Sequence, residues 1–324
     1  MNLRNSVIAG ERPAPRASAA PHPFGGVYAS TVCPMRPDGC IDEEMLARHL
    51  GDVVGTDGMA GLLVNGHAGE NAALDRDELA LVVRVARAVA GTRRIVAGIN
   101  VERTDRAAVL AQDAARAGAD AVMVFPPFSW ALGADERVIQ EHHRAVARAS
   151  GLPLFLFQGA VGAGKTAFSA RTLAGLLEIE SVIGIKEGSW ETAAYDLTRR
   201  LTKRLRPDVG VMASGDEHLF ACFAIGSEGS LVSLATVVPE LIVALDRAVA
   251  GGDLAEARAI HDRLYDLARV VYGVPGHLAT LRLKTCLVLL GRLGAATSRS
   301  PIAALSDEEI GQLHNALIAA GAFA

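Results

Sequence analysis

The chain has 324 residues, half of them hydrophobic, with a net charge of −4 and a pI near 6.1. Material for a sizeable core is present, no basic block supports a nucleic-acid or anionic-membrane partner, and no apolar run reaches the ~20 residues that span a bilayer. The four cysteines (Cys33, Cys40, Cys222, Cys286) lack close CxxC pairing and are too few for a disulfide scaffold, so reduced thiols, no metal site and a cytoplasmic location are expected.

Residues 1–24 carry Pro13, Pro15, Pro21 and Pro23 with scattered Arg and Ala and no periodicity. They read as a flexible N-terminal extension, without the continuous apolar stretch of a secretory signal. From Gly25 onward, strand-like runs alternate with amphipathic stretches. Strands are expected at 26–33, 61–65, 94–99, 121–125, 153–157, 182–186, 209–213 and 229–234. Helical spacing appears between them, as at 42–54, 76–90, 105–117 and 136–150. The units recur roughly every 30 residues, and eight in series predict an α/β fold, a (β/α)8 TIM barrel of parallel strands. A doubly wound open sheet would need a switch point, and none is visible. After the eighth strand the pattern is purely helical, at 239–250, 254–271, 277–293 and 307–320. The predicted division is a barrel over 25–250 and a C-terminal helical subdomain over 251–324.

Lys186 draws attention in this frame. Only four of the 32 basic residues are lysines (Lys165, Lys186, Lys203, Lys284), and Lys186 closes the apolar run Ser181-Val182-Ile183-Gly184-Ile185. Desolvation at a strand end favours the neutral amine, which attacks carbonyls; the bland alternative is a lysine that snorkels to solvent. Gly159-Ala160-Val161-Gly162-Ala163-Gly164-Lys165-Thr166 meets the phosphate-loop pattern G-x-x-x-x-G-K-[ST] in full, after a strand and before a helix. No strand ends in the apolar run plus Asp of a metal-positioning partner, which weighs against nucleotide binding.

Several segments together resemble the dihydrodipicolinate synthase/N-acetylneuraminate lyase family. They are Val64-Asn65-Gly66-His67-Ala68-Gly69-Glu70, Gly184-Ile185-Lys186-Glu187, Gly215-Asp216, Gly226-Ser227-Glu228-Gly229 and Ser298-Arg299-Ser300-Pro301, in the family's order. The resemblance implies a barrel with C-terminal helices, usually a homotetramer, that binds a 2-oxo acid as a Schiff base on Lys186. It requires no cofactor. It also implies substrate contacts at Gly66, Ala68, Phe157, Gln158, Gly215 and Leu231. The turn after the second strand, usually Gly-Thr-Thr-Gly-Glu, would hold the carboxylate on backbone amides, but His67 and Ala68 replace both threonines. Phe157-Gln158 stand where the family usually has Tyr-Asn, so a proton-transferring hydroxyl is lost. The arginine that grips the second substrate of dihydrodipicolinate synthases falls at Gly162.

His67 is the candidate to replace the missing relay, because imidazole titrates near neutrality; a purely structural hydrogen bond is the alternative. His142 and His143 are expected on a solvated helix face, and His218 in a structural role at the end of the seventh strand. Phe128 and Trp130 are expected near a subunit contact, since aromatic side chains on a loop are better covered by a partner than by water. Three functions follow. The first is a Schiff-base lyase or aldolase acting on pyruvate or another 2-oxo acid, with an aldehyde as possible second substrate. The second is a nucleotide-binding protein using the loop 159–166, and the third a barrel that binds a metabolite without catalysis. Dihydrodipicolinate synthesis itself is not expected.

Overall fold

The computed structural model describes residues 22–299 and 304–323. The expectations for residues 1–21 and for Ser300 and Pro301 lie outside them. Eight strands alternate with eight helices: β1 (Gly26–Ser30), α1 (Glu43–Gly55), β2 (Met59–Val64), α2 (Arg76–Ala90), β3 (Arg94–Ile99), α3 (Thr104–Ala117), β4 (Ala121–Val124), α4 (Glu136–Ser150), β5 (Leu154–Gln158), α5 (Ala170–Leu177), β6 (Val182–Glu187), α6 (Thr192–Leu205), β7 (Gly210–Ala213), α7 (Leu219–Ile225), β8 (Gly229–Val232) and α8 (Pro239–Ala250). Each strand pairs in parallel with the next, and β8 pairs back onto β1, which closes the expected (β/α)8 barrel. Helices α9 (Leu254–Tyr272), α10 (Ala279–Leu289) and α11 (Asp307–Ala320) follow. Among the described residues no helix is long and apolar enough to cross a membrane.

Side chains alternate along each strand, so the barrel has two apolar layers. One fills its interior with Phe24, Tyr28, Leu63, Val96, Met123, Phe155, Met212 and Leu231. Each such Phe, Leu or Met contributes roughly 1.5–3 kcal/mol by leaving water. Gly184 makes this packing possible: a Cβ there would stand 2.2 Å from the Phe155 ring. The other layer joins the outer strand faces to the helices, and it runs on into Ile260, Leu264, Leu283 and Leu313 of the C-terminal helices. Helices α9, α10 and α11 are therefore packed on the barrel through a shared core.

Three expectations need correction. Residues 22–24 are structural, not part of a loose extension: His22 Nε2 lies 3.0 Å from the Ile183 carbonyl, and Phe24 meets Phe155 edge-on at 5.7 Å beneath the Arg94 guanidinium. They close the barrel floor. His142 and His143 are buried, not solvated, because Ile139, His142, His143 and Val146 form the inward stripe of α4. His142 Nδ1 sits 3.0 Å from the Thr104 hydroxyl, and His143 Nδ1 donates to the Ile139 carbonyl at 2.7 Å. Trp130 packs on both imidazoles and is only 8% exposed, so its own chain covers it. Phe128, at 59%, stays open to solvent.

Candidate active site

Strand β6 carries Lys186 to the C-terminal mouth of the barrel, the end where barrel enzymes place their chemistry. Its side chain enters the interior, where Nζ donates to Ser30 Oγ at 3.3 Å. Glu187, one residue on, faces outward as alternation requires, and accepts from Ser189 Oγ (2.9 Å) and from Thr198 Oγ1 of α6 (3.2 Å). Burial drives the Lys186 amine down to about 8, against the pull of the Asp216 carboxylate. About a tenth of it is then neutral at pH 7. Lys284, the other deeply buried lysine, is instead tied by its charge to Glu70 and donates to the Thr297 carbonyl at 2.7 Å.

Lys186 opens into a cavity of about 560 Å³ with two unlike sides. On one side the His67 ring lies against Phe125 (4.4 Å between centroids), Phe157 (5.7 Å) and the exposed Phe128 (6.1 Å). His67 keeps an exposed edge, yet this crowding, with cationic Lys186 nearby, pushes its imidazole down to about 4. Asn100 Nδ2 stands 3.4 Å from its Nε2. The other side is polar and includes Ser30, Ser214, Asp216, Ser233 and Tyr272. A second hollow of about 520 Å³ opens by Thr56, Asp57 and Arg247 near the strand N-termini, but no lysine lines it.

The structure brings together Lys186, His67, Ala68 and Phe157 of the residues singled out by sequence. It places the others apart. Gly66 sits behind the wall, where a Cβ would lie 3.5 Å from the Ser30 hydroxyl. Gln158 turns away and holds Phe168 by two hydrogen bonds, donating to its carbonyl (3.3 Å) and accepting from its amide (3.0 Å). Gly215 only starts the turn that carries Asp216, and Leu231 is part of the apolar filling below. His218 lies beside Glu217, outside the cavity. In the turn 66–71 the Gly69 and Asn71 amides donate to the Gly66 carbonyl and the Glu70 amide to that of His67, while those of His67 and Ala68 have no such partner among the described residues. The Glu70 carboxylate is already engaged: besides Lys284, it accepts from Ser298 Oγ (2.6 Å) and the Arg299 amide (2.9 Å).

The loop 159–166 does not run into a helix. Thr166 donates its hydroxyl to the Ala163 carbonyl at 2.9 Å, and α5 begins only at Ala170, capped by Ser169. A phosphate loop needs its Lys-Thr pair to open the helix itself, so the anion cradle is missing.

Sequence reasoning missed Ser30, Trp190 and Tyr272, and gave Asp216 no role. Asp216 stood in a quoted segment, but nothing in the spacing of α9 marks Tyr272. Trp190 takes φ 62°, a left-handed backbone rare for a bulky residue, and packs on the Tyr272 ring at 4.9 Å.

The sequence model of the dihydrodipicolinate synthetase family matches residues 23–320, and the chain belongs to this family of Schiff-base lyases and aldolases. It is 30% identical over 296 residues to the 4-hydroxy-tetrahydrodipicolinate synthase of Methanothrix thermoacetophila, a match that covers 91% of this chain and 96% of the relative. Identity to the probable 2-dehydro-3-deoxy-D-pentonate aldolase YjhH of Escherichia coli K12 is 27% over 301 residues, with 92% and 98% covered. The dihydrodipicolinate synthase structure from Aquifex aeolicus superposes with a TM-score of 0.81 at 26% identity, over 91% of this chain and 97% of that one. YagE, a prophage protein of E. coli K12 solved with pyruvate, shares the fold with a TM-score of 0.85 at 24% identity, over 92% and 99%.

Proposed function

We propose that this family member is a lyase or aldolase that holds pyruvate or another 2-oxo acid as a Schiff base on Lys186. One observation carries the reading: an amine pushed down to about 8 by burial stands in a cavity at the C-terminal mouth of a (β/α)8 barrel. The neutral amine attacks the C2 carbonyl, and the resulting iminium draws electrons from the C3–C4 bond. We assign the substrate carboxylate to the free amides of His67 and Ala68. His67, neutral at pH 7, acts there as a hydrogen-bond partner of the carboxylate rather than as the acid at the carbinolamine.

Beyond C3 the substrate meets Phe128, Phe157 and the His67 ring. That wall suits an aldehyde half with an aromatic or other apolar substituent. Gly162 offers no side chain to grip a second carboxylate, which argues against dihydrodipicolinate synthesis itself. Tyr272 and Thr280 reach the cavity from the C-terminal helices, so we assign residues 251–324 to the same working unit. A cytoplasmic homotetramer without a cofactor completes the proposal.

Incubation with pyruvate and borohydride should leave a reduced adduct on Lys186 by mass spectrometry. Lys186→Ala should abolish it, and Lys165→Ala should leave it intact. A folded protein that gives no adduct with pyruvate or other 2-oxo acids ends this reading. Tight 2-oxo acid binding without an adduct would favour a binding barrel instead.

A further inference from the structure

Making the imine requires a proton at one defined place. The amine adds to the carbonyl carbon, a proton passes from nitrogen to oxygen, and a carbinolamine results. Its hydroxyl then leaves as water, which needs an acid to donate a proton while the nitrogen lone pair closes the C=N bond. One carbinolamine and one acid thus give one iminium, one conjugate base and one water. Phe157 has no proton to give, and Ser30 is too weak an acid.

We propose that Asp216 is the acid–base group of this step, and that Tyr272 is the positioning residue that receives its carboxylate once the proton has left. The proposal rests on the Schiff-base reading of Lys186. Asp216 opens the short turn after β7 and lines the cavity together with Lys186, each close enough to bear on the other's charge. Its Oδ1 accepts from the Leu234 amide at 2.8 Å. The titratable groups facing it are Lys186 from β6 and Tyr272 from α9, with the Ser233 hydroxyl near Tyr272 from the loop after β8. Glu217, next in the chain, turns to Arg269 and His218.

Tyr272 supplies the independent observation. Its hydroxyl is fully buried and makes no well-formed hydrogen bond among the described residues, although the Asp216 carboxyl and the Ser233 hydroxyl stand within reach of one. An unsatisfied buried hydroxyl is costly, and a hydrogen bond to a newly formed carboxylate removes that cost. The Trp190 ring holds it in place. Burial keeps Asp216 in its acid form longer than usual, up to about 6, while the phenol stays protonated throughout. The pair therefore favours proton delivery to the carbinolamine and stabilises what remains.

The test is the rate of trapped pyruvate adduct on Lys186, measured with cyanoborohydride from pH 5 to 9. The wild-type profile should bend where Asp216 titrates and again where Lys186 does. Asp216→Asn should slow trapping by about 100-fold or more and lose the lower bend, while the final adduct keeps its mass. Asp216→Glu should recover part of the rate. Tyr272→Phe should raise the lower bend by about one pH unit, since it removes a donor to the carboxylate. Wild-type rate and profile in Asp216→Asn would overturn the proposal. So would a bend unmoved in Tyr272→Phe, which decides the matter if Asp216→Asn does not fold. Absence of any adduct on the wild-type protein is a separate failure, that of the Lys186 reading itself, and it removes this proposal with it.

Discussion

The joint between Glu70 and Lys284 makes the sharpest test of how this site is supported. Lys284 is fully buried on α10 and the Glu70 side chain is 3% exposed, so neither charge has water to fall back on. Lys284→Met keeps the volume of the stem but leaves the Glu70 carboxylate, among the described residues, with only the Ser298 hydroxyl and the Arg299 amide as donors. Breaking a buried pair from one side costs about 3–5 kcal/mol, and the two surviving hydrogen bonds place this case at the lower end, near 3. For a chain of this size the unfolding entropy is about 0.6 kcal/mol per degree, so the melting temperature should fall by about 5 °C. Calorimetry or circular dichroism measures that. Adding Glu70→Gln to Lys284→Met should recover part of the loss, because no charge is then buried alone. If the single variant melts within a degree of wild type, the carboxylate is not buried as described, and the anchoring of residues 297–299 to the His67 turn is wrong.

Acid should weaken the fold through its buried histidines. His49 and His143 are held neutral, both pushed down to about 4 by burial, so the unfolded chain takes up their protons first as pH falls. Their stabilisation is present above pH 6.5 and is lost between 6.5 and 4, roughly 2 kcal/mol each by pH 5. The raised carboxyls of Asp216 and Glu187 pull the other way, so the test compares variants: His143→Phe should flatten the fall in melting temperature from pH 7 to 5. An unchanged slope counts against burial of His143. Phe128 and Leu132, 59% and 90% exposed on one turn, should lie in a subunit contact; Leu132→Asp should shift the mass by light scattering, and a wild-type monomer at micromolar concentration rules the contact out. In retro-aldol assays of candidate adducts, an aromatic aldehyde half should give a lower KM than a polyhydroxylated one. Phe128→Ala should raise that KM several-fold, and no preference between the two would remove the apolar-wall argument.

Local rules made most of this molecule readable. α2, α4, α8 and α11 were placed to the residue, because each combines a clear 3.6-residue stripe with a start signal such as the capping boxes at Asp75–Glu78 and Ser306–Glu309. Strand ends were less legible: β1 stops at Ser30, although the apolar pattern runs on to Cys33. The histidine pair was misjudged because residue type was weighted above position. Read by spacing alone, 139, 142, 143 and 146 already form the inward stripe.

Lys186 could be found in the sequence because its chemistry is carried by one side chain on one strand. The polar side of the cavity could not, since it draws on β1, β6, the turns after β7 and β8, and the last residue of α9. Those contributors are far apart in sequence and meet only when the barrel closes and α9 folds back across its mouth. The loss at position 157 points the same way. A barrel presents every strand end to one cavity, so a proton-transferring group removed from β5 can be supplied from another strand or from the helices beyond without moving Lys186. Phe157 then reads as a surface of the apolar side, and the proton chemistry we propose lies with Asp216 and Tyr272 across the cavity. That division makes a disagreement with the family pattern at one position compatible with the family's chemistry at another.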